Sequence, residues 1–193
     1  MADRGARCLL PLLLLLAATP GGSGAALNSS WWPCQQVAPQ RDVQLQQVLG
    51  EWYLVEDISQ IGSNAHYNMC VSMNLEQRAA GAELVMVGKE KPLGGQANYQ
   101  NNTVLLSDRA GQQGLWEIPD VGMVAAVVYL QRDVLALAHC YPQLLLSWTA
   151  VFAREPHITP ESLHAVNRAL EEAGVPEMST ARLWDLTCCQ PGD

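Results

Sequence analysis

The chain has 193 residues, of which 49% are hydrophobic, and its formal net charge is −8 at neutral pH. This length is enough for one domain with a sizeable core and is short for two. An acidic chain without a Lys or Arg cluster argues against nucleic acid and anionic membranes as partners.

Residues 1–26 are predicted to be a secretory signal peptide. Arg4 and Arg7 precede an apolar run over residues 8–18, and small residues follow as far as Ala26. This is the order of positive region, apolar region and cleavage site that signal peptides show, and the run is too short to cross a bilayer. Cleavage after Ala26 changes the net charge to −9, since two Arg and one Asp are lost. We therefore expect a secreted, extracellular protein without a membrane span.

Cysteine usage and glycosylation sequons agree with secretion. After the signal peptide the chain has an odd number of cysteines, at Cys34, Cys70, Cys140, Cys188 and Cys189. In an oxidising compartment they predict disulfides with one thiol left over, and no C-x-x-C pair suggests a zinc site. The sequons at Asn28 and Asn101 predict N-glycosylation.

The segment 27–49 contains prolines and adjacent tryptophans, so we expect it to be an irregular strap that lies on the domain. From there to Arg154 the pattern is a series of short apolar runs separated by Gly, Pro and Asn. These runs predict eight strands, at 52–58, 69–75, 83–87, 99–107, 115–118, 124–130, 134–140 and 144–153. Eight sequential antiparallel strands are most simply closed as an up-and-down barrel, here over residues 50–154.

After the eighth strand the spacing of apolar residues changes from that of strands to that of a helix. Thr159 can cap a helix and Pro160 can occupy its first position, while apolar residues mark one face until Gly174. This predicts a helix over 159–173 packed outside the barrel. A short strand at 181–186 and a tail to residue 193 complete a single domain over 27–193.

Gly50 and Trp52 at the first strand, Arg154 at the end of the eighth, and one helix after it resemble the lipocalin family. Within that family the cysteine positions are most similar to those of apolipoprotein D and its insect relatives. The resemblance implies an eight-stranded barrel that carries a small hydrophobic ligand. It also implies that Cys34 pairs with Cys140, and Cys70 with Cys188 or Cys189, so that the spare cysteine is available for a disulfide-linked dimer or partner.

Gly50, Trp52 and Arg154 are predicted to have structural roles. Glycine permits a tight backbone bend, and the indole can cover the closed end of the barrel. An Arg guanidinium over the indole face would add a cation–π contact and could also bond to carbonyls. The lipocalin motif T-D-x-Y before the seventh strand is absent, because the chain reads Tyr-Leu-Gln-Arg-Asp from residue 129.

Strand parity supplies candidates for the ligand-binding lining, since alternate residues of a small barrel face inward. Trp148 is an even number of residues from Arg154 along the eighth strand, so the two side chains are expected on the same, inward face. The full set of candidates is Met73, Leu75, Met86, Tyr99, Trp116, Tyr129, Leu137 and Trp148. The alternative for any one of them is that it only fills the core. An adaptable, Met-containing lining favours lipids, sterols, retinoids or bilins as a class.

Two other functions compete with that of a carrier. An enzyme is disfavoured, since the histidines show no nucleophile or metal spacing and no carboxylate pair emerges. No metal or cofactor is expected apart from a bound lipid or bilin. A ligand-free extracellular interaction module is the second alternative.

Overall fold

The computed structural model describes residues 37, 39–59, 69–78, 83–92, 95–106, 114–144, 146–175 and 178–184. The elements in these ranges are α1 (Leu45–Val48), β1 (Gly50–Ser59), β2 (Met69–Gln77), β3 (Glu83–Pro92), β4 (Asn98–Leu106), β5 (Leu115–Ile118), β6 (Met123–Gln131), β7 (Val134–Tyr141), β8 (Leu146–Ala153), α2 (Pro160–Glu172) and β9 (Arg182–Leu183). The predicted signal peptide, Asn28, Cys34, Cys188 and Cys189 lie outside the described residues. No described helix is both long and apolar enough to cross a membrane.

Strands β1 to β8 form a closed antiparallel barrel. Each strand pairs with the one before it, and β1 pairs with both β8 and β2, so the sheet returns to its start. The eight-stranded up-and-down barrel and the helix outside it are therefore confirmed. The largest difference in strand bounds is at β3, which extends to Pro92 because Gly88 continues the ladder opposite Met73 and Gln100.

The segment before β1 contains the short helix α1, although the sequence predicted an irregular strap there. Val43 and Val48 are buried among the side chains that fill the barrel. Residues 45, 48 and 49 are apolar at helical spacing, and the nearest proline, Pro39, precedes the helix. Helix α1 therefore covers the end of the barrel at which β1 begins, which we call the closed end.

Helix α2 packs on the outside of the barrel, as predicted. The Thr159 hydroxyl accepts a hydrogen bond from the Ser162 amide at 3.2 Å, and Pro160 begins the helix. Val166 and Leu170 are fully buried against outward-facing strand residues, in a group that we call the outer core. A second group around Trp52 fills the barrel, and we call it the interior core.

The final strand β9 extends the barrel wall. Strand β1 pairs with β2 only over residues 50–53, and beyond that point Glu56 and Asp57 pair with Leu183 and Arg182. The Trp184 amide adds a hydrogen bond of 3.0 Å to the Val55 carbonyl. The last strand predicted from the sequence therefore exists at residues 182–183 and closes the gap where β1 leaves β2.

Cys70 on β2 and Cys140 on β7 are both disulfide-bonded. Strands β1 and β8 separate β2 from β7 around the barrel. Neighbouring strands lie ~4.8 Å apart, so three steps around the wall separate the two cysteines by well over the ~7 Å that a disulfide spans between Cα atoms. Cys70 and Cys140 are therefore not bonded to each other, and the partner of each stays a prediction.

We expect peptide mapping of the unreduced protein to recover Cys34 linked to Cys140, and Cys70 linked to the C-terminal peptide. Each bond would close a long loop and stabilise the fold by ~4 kcal/mol in the chain-entropy model. One thiol of Cys188 or Cys189 should react with a labelling reagent or form a dimer. A peptide that joins Cys34 to Cys70 would contradict this pairing.

A buried carboxyl group lies between the barrel and α2. Glu56 is 3% exposed, and its Oε1 accepts a hydrogen bond of 3.1 Å from Nδ2 of Asn167. Oε2 of Glu56 and Oδ1 of Asn167 are buried acceptors without a partner. Burial raises the pKa of Glu56 above its ordinary value of 4.5. A proton on this carboxyl group would supply the missing donor, since a protonated acid both donates and accepts.

The variant Glu56→Gln should therefore increase the free energy of unfolding by about 1 kcal/mol at pH values above the raised folded-state pKa of Glu56. A raised folded-state pKa gives a contribution that is present at low pH and is lost as pH rises through that pKa. The amide of the variant does not ionise, so the free energy of unfolding of Glu56→Gln should exceed that of the wild type by an amount that grows with pH. Denaturant melts between pH 5 and 9 measure it. The matched control is Glu171→Gln, an exposed position of α2; equal pH profiles for both variants would contradict the assignment.

Candidate ligand-binding site

The closed end of the barrel is sealed by Trp52. Its side chain is completely buried, and its Nε1 donates a hydrogen bond of 2.8 Å to the Val48 carbonyl of α1. The Arg154 guanidinium lies 3.6 Å from the centroid of the indole ring. Arg154 also donates to the carbonyls of Glu51 and Gln47, at 3.0 and 2.9 Å. The cation–π contact and carbonyl bonds predicted from the sequence are present.

Gly50 is required at this end by its backbone and by its neighbour. Its φ is +94°, a value that L side chains rarely adopt, and a Cβ atom there would lie 3.2 Å from Nη1 of Arg154. Among the described residues, Trp52, Arg154 and Gly50 thus close this end of the barrel. The opposite end is formed by the start of β2 and the end of β7, and we call it the open end.

Six of the predicted lining residues face the interior. Met73, Leu75, Trp116 and Leu137 are buried in the interior core, and Met86 and Trp148 are partly exposed and pack against it. Their assignment as ligand contacts stays a prediction. Leu75 is almost fully buried, whereas Met86 opposite it and Trp148 toward the open end are partly exposed.

The predicted inward position of Tyr99 is wrong. Tyr99 is 64% exposed. Val104 and Leu106 of the same strand pack in the interior core, so even-numbered residues of β4 face inward and Tyr99 faces outward. The neighbouring residues of β4 toward the open end are polar on both faces, so their pattern does not indicate the register.

The predicted inward position of Tyr129 is also wrong. Its side chain is buried, but it lies in the outer core beneath α2. The pairing of β6 with β7 shifts register between Val127 and Tyr129. This bulge adds one residue to β6, so Val127 and Leu130 face inward while Val128 and Tyr129 face outward.

His139 is an interior residue that the sequence analysis did not assign to the lining. It shares parity with Leu135 and Leu137 on β7, and that parity could have identified it. The register places it between Ala125 on β6 and Trp148 on β8. The His139 and Trp148 rings stack with centroids 4.8 Å apart and planes 10° apart. Tyr141 lies 5.3 Å from Trp148, so three rings form one cluster near the open end.

The imidazole of His139 is neutral over the physiological range. The residue is 6% exposed, and burial lowers the pKa of His139 from 6.5 to about 4. Its Nδ1 atom is buried without a hydrogen-bond partner. A neutral imidazole can accept or donate a hydrogen bond at this atom, according to its tautomer.

A bulge also turns an acidic residue toward the interior. Between Leu54 and Glu56 the register of β1 against β8 shifts by one residue. Asp57 is therefore opposite the inward-facing Ala150, and Glu56 faces α2. Burial raises the pKa of Asp57, while Arg182 on β9 opposes that effect.

A separate groove of about 290 Å³ lies outside the barrel, at the start of α2. Its wall includes Asp133, Arg154, Glu155 and His157. Charges of both signs line it, and Arg154 is already bound to Trp52 and two carbonyls. The described residues contain no group of three or more His, Cys, Asp or Glu arranged to hold a metal.

No protein-family model and no curated protein matches the sequence. Solved structures do match the fold. The siderocalin Ex-FABP, which "functions through dual ligand specificities", aligns with a TM-score of 0.58 and 13% identity over 72% of this chain and 93% of its own. The chain has the lipocalin fold.

Two further matches are amine-binding proteins. That of Rhodnius prolixus, solved as its tryptamine complex, aligns with a TM-score of 0.61 and 17% identity over 81% of this chain and 87% of its own. A selenomethionine derivative of a biogenic amine-binding protein aligns with a TM-score of 0.61 and 17% identity, over 80% of this chain and 87% of its own. At these identities the similarity is one of fold, and the ligand must be inferred from the residues of this chain.

We expect acid to destabilise the protein through His139. Since the folded-state pKa lies below the unfolded value, the unfolded chain binds more protons between pH 6.5 and about 4. Stability should therefore fall across that window as pH decreases, by about 3 kcal/mol in total. The variant His139→Phe should lack this loss in denaturant melts. Glu56 and Asp57 titrate in both proteins, so their effects cancel in the difference.

The control is His164→Phe on the exposed face of α2, whose pH profile should follow that of the wild type. Parallel profiles for wild type and His139→Phe would show that the buried imidazole is not the group responsible.

Proposed function

We propose that the protein is a secreted carrier that binds a small hydrophobic ligand inside the barrel. The observation that carries the proposal is the apolar lining of the barrel interior. The closed end is sealed by Trp52 and Arg154, whereas Tyr141 and Trp148 toward the open end are aromatic and partly exposed. A concave, mostly apolar surface with a few polar groups is the usual form of a small-molecule site.

The proposed ligand class is a lipid, sterol, retinoid or bilin. Met73, Leu75, Met86, Trp116, Leu137 and Trp148 supply the apolar lining. The small side chains of Ala125 and Ala150 also face inward. The matched solved structures are described as binding small molecules, with dual specificities in one and tryptamine in another, which supports a carrier.

The closer relation to apolipoprotein D remains part of this proposal. Cys70 at the start of β2 and Cys140 near the end of β7 are both in disulfides, at the positions that the resemblance implies. Asn101 is exposed on β4, which is compatible with glycosylation. Together with the predicted signal peptide, these features support secretion.

A ligand-free interaction module is the second candidate. Tyr99 and Leu105 are exposed on the outer face of β4, at 64% and 38%, and exposed apolar side chains are available to a protein partner. For an enzyme, the described residues provide no corresponding support, and the matched structures named above are ligand-binding proteins.

Titration of the wild-type protein with retinol, cholesterol, oleate and biliverdin should show binding of at least one ligand by tryptophan quenching. Trp148→Ala should weaken that binding by about 1 to 3 kcal/mol, the transfer free energy of a large apolar side chain. Trp52→Ala is the matched control: it should lower the melting temperature, because it opens the closed end, and leave the affinity of the folded fraction nearly unchanged. Absence of binding below high micromolar concentration for every class would favour the interaction module.

A further inference from the structure

The outer face of β4 has two large apolar side chains that are exposed, Tyr99 at 64% and Leu105 at 38%. On the neighbouring strand β3, Val87 and Val85 share this face and are partly exposed. Val87 is the diagonal neighbour of Tyr99 across the ladder, and Val85 is that of Leu105. We call these four residues the outer apolar patch. Exposed apolar surface that spans two strands marks a place where another group makes contact.

The edge of β4 that faces β5 is only partly paired. The strand is nine residues long, and among the described residues only its last two pair with β5. On the same edge the Thr103 amide donates a hydrogen bond to the Asp120 carboxylate. Since the backbone groups of successive residues point to opposite edges of a strand, those of Asn101 and Tyr99 point the same way as those of Thr103. No strand in the described part of the chain pairs with them.

This edge lacks the residues that usually protect an exposed strand. Residues 98–103 read Asn-Tyr-Gln-Asn-Asn-Thr, with no charge and no proline. Lysine, proline and bulges are common means of preventing a strand edge from pairing with another chain. Uncharged segments without proline, and ladders of Asn and Gln in particular, favour the stacking of strands from separate molecules. A second copy of the chain would therefore pair with this edge unless a bulky group lies beside it.

Asn101 lies at the centre of this surface. Its side chain is exposed, directly opposite Val87 and two residues from Tyr99. Two residues span ~7 Å along a strand, and opposed Cβ atoms lie about 5 Å apart. Asn101, Asn102 and Thr103 form the N-x-T acceptor sequence for N-glycosylation. A glycan is bulky and hydrophilic, and one attached here would begin between the outer apolar patch and the unpaired edge.

We propose that an N-linked glycan at Asn101 covers the outer apolar patch and blocks the edge of β4 against pairing with a second copy of the chain. The donor is a lipid pyrophosphate-linked oligosaccharide of the secretory pathway. A bond forms between Nδ2 of Asn101 and C1 of the first sugar, the bond from C1 to the pyrophosphate oxygen breaks, and the amide loses one proton. This role does not depend on a ligand inside the barrel. It also removes Tyr99 and Leu105 from the surface that a protein partner would contact.

The test compares variants of the acceptor sequence made in cells that glycosylate secreted proteins. Asn28→Gln is present in every protein, so that they differ only at the second sequon. Thr103→Ala removes the acceptor sequence, and the matched control Thr103→Ser keeps it. Both keep the bond to Asp120, because the backbone amide makes it. Peptide mass spectrometry should find the glycan only in the control. In sedimentation velocity the weight-average mass of Thr103→Ala should rise about twofold or more with concentration, while that of the control stays constant.

A second substitution identifies the surface through which the copies associate. Tyr99→Glu, added to Thr103→Ala, places a charge on β4 opposite Lys89 and should restore the mass of the control. Leu144→Glu is the matched comparison and should not restore it, since Leu144 is also 64% exposed but lies in the turn between β7 and β8. If Thr103→Ala is not secreted, the glycan is removed from the folded control by an endoglycosidase that leaves one sugar, and the same masses are measured.

Four results would overturn the inference. An unmodified Asn101 in the control would do so, since no glycan then covers the patch. Equal masses for Thr103→Ala and Thr103→Ser at every concentration would show that the edge needs no protection. Rescue by Leu144→Glu, or none by Tyr99→Glu, would assign the association to another surface. Assemblies that persist in SDS and dissociate only with reductant would assign it to the spare cysteine.

Discussion

The barrel depends on the Arg154 guanidinium that lies over the Trp52 ring. This one side chain joins the end of β8 to the start of β1 and, through the Gln47 carbonyl, to α1. A cation–π contact contributes ~0.5 to 2 kcal/mol, and hydrogen bonds to a charged group contribute about 1.5 to 3 kcal/mol each. The indole beneath the guanidinium is completely buried, so these contacts hold β8, β1 and α1 together at the closed end.

The sequence was sufficient for the fold because the alternation of apolar residues and the positions of turn residues both follow local rules. It was not sufficient for every side-chain direction. Tyr129 lies in a run of eight consecutive apolar residues, 123–130, so alternation is absent there and the bulge after Val127 is not visible in the pattern. With α2 outside and a core inside, both faces of that strand are apolar. A shift of one residue in the register of β6 then moves each side chain from one face to the other, and all of them remain buried.

The same physics explains what was missed in the candidate site. A histidine in a sequence is first considered as a nucleophile's partner or a metal ligand, and His139 fits neither role. Its parity on β7 matched that of Leu137, but stacking on Trp148 appears only when neighbouring strands are in register. The inward direction of Asp57 could not be predicted because a bulge in β1 changes the alternation. The outward direction of Tyr99 could not be predicted because the residues near it on β4 are polar on both faces. The sealing residues were predictable because Gly50, Trp52 and Arg154 match the lipocalin pattern, and a cation–π contact between arginine and tryptophan gives that pattern a physical reason.

The way in which the ring is completed has a consequence for biosynthesis. Strand β1 is synthesised first, yet it pairs with β2 only over residues 50–53, and the rest of that edge pairs with residues 182–183, which are synthesised much later. The other edge of β1 pairs with β8, and Trp52 contacts Arg154, so these contacts also form late in synthesis. While the chain emerges from the ribosome, the first strand therefore stays partly unpaired until nearly the whole protein has been translated. A chain that stops short of β9 would lack the strand that covers this part of the wall, and the newly made protein would present an open edge to chaperones and to other copies of itself.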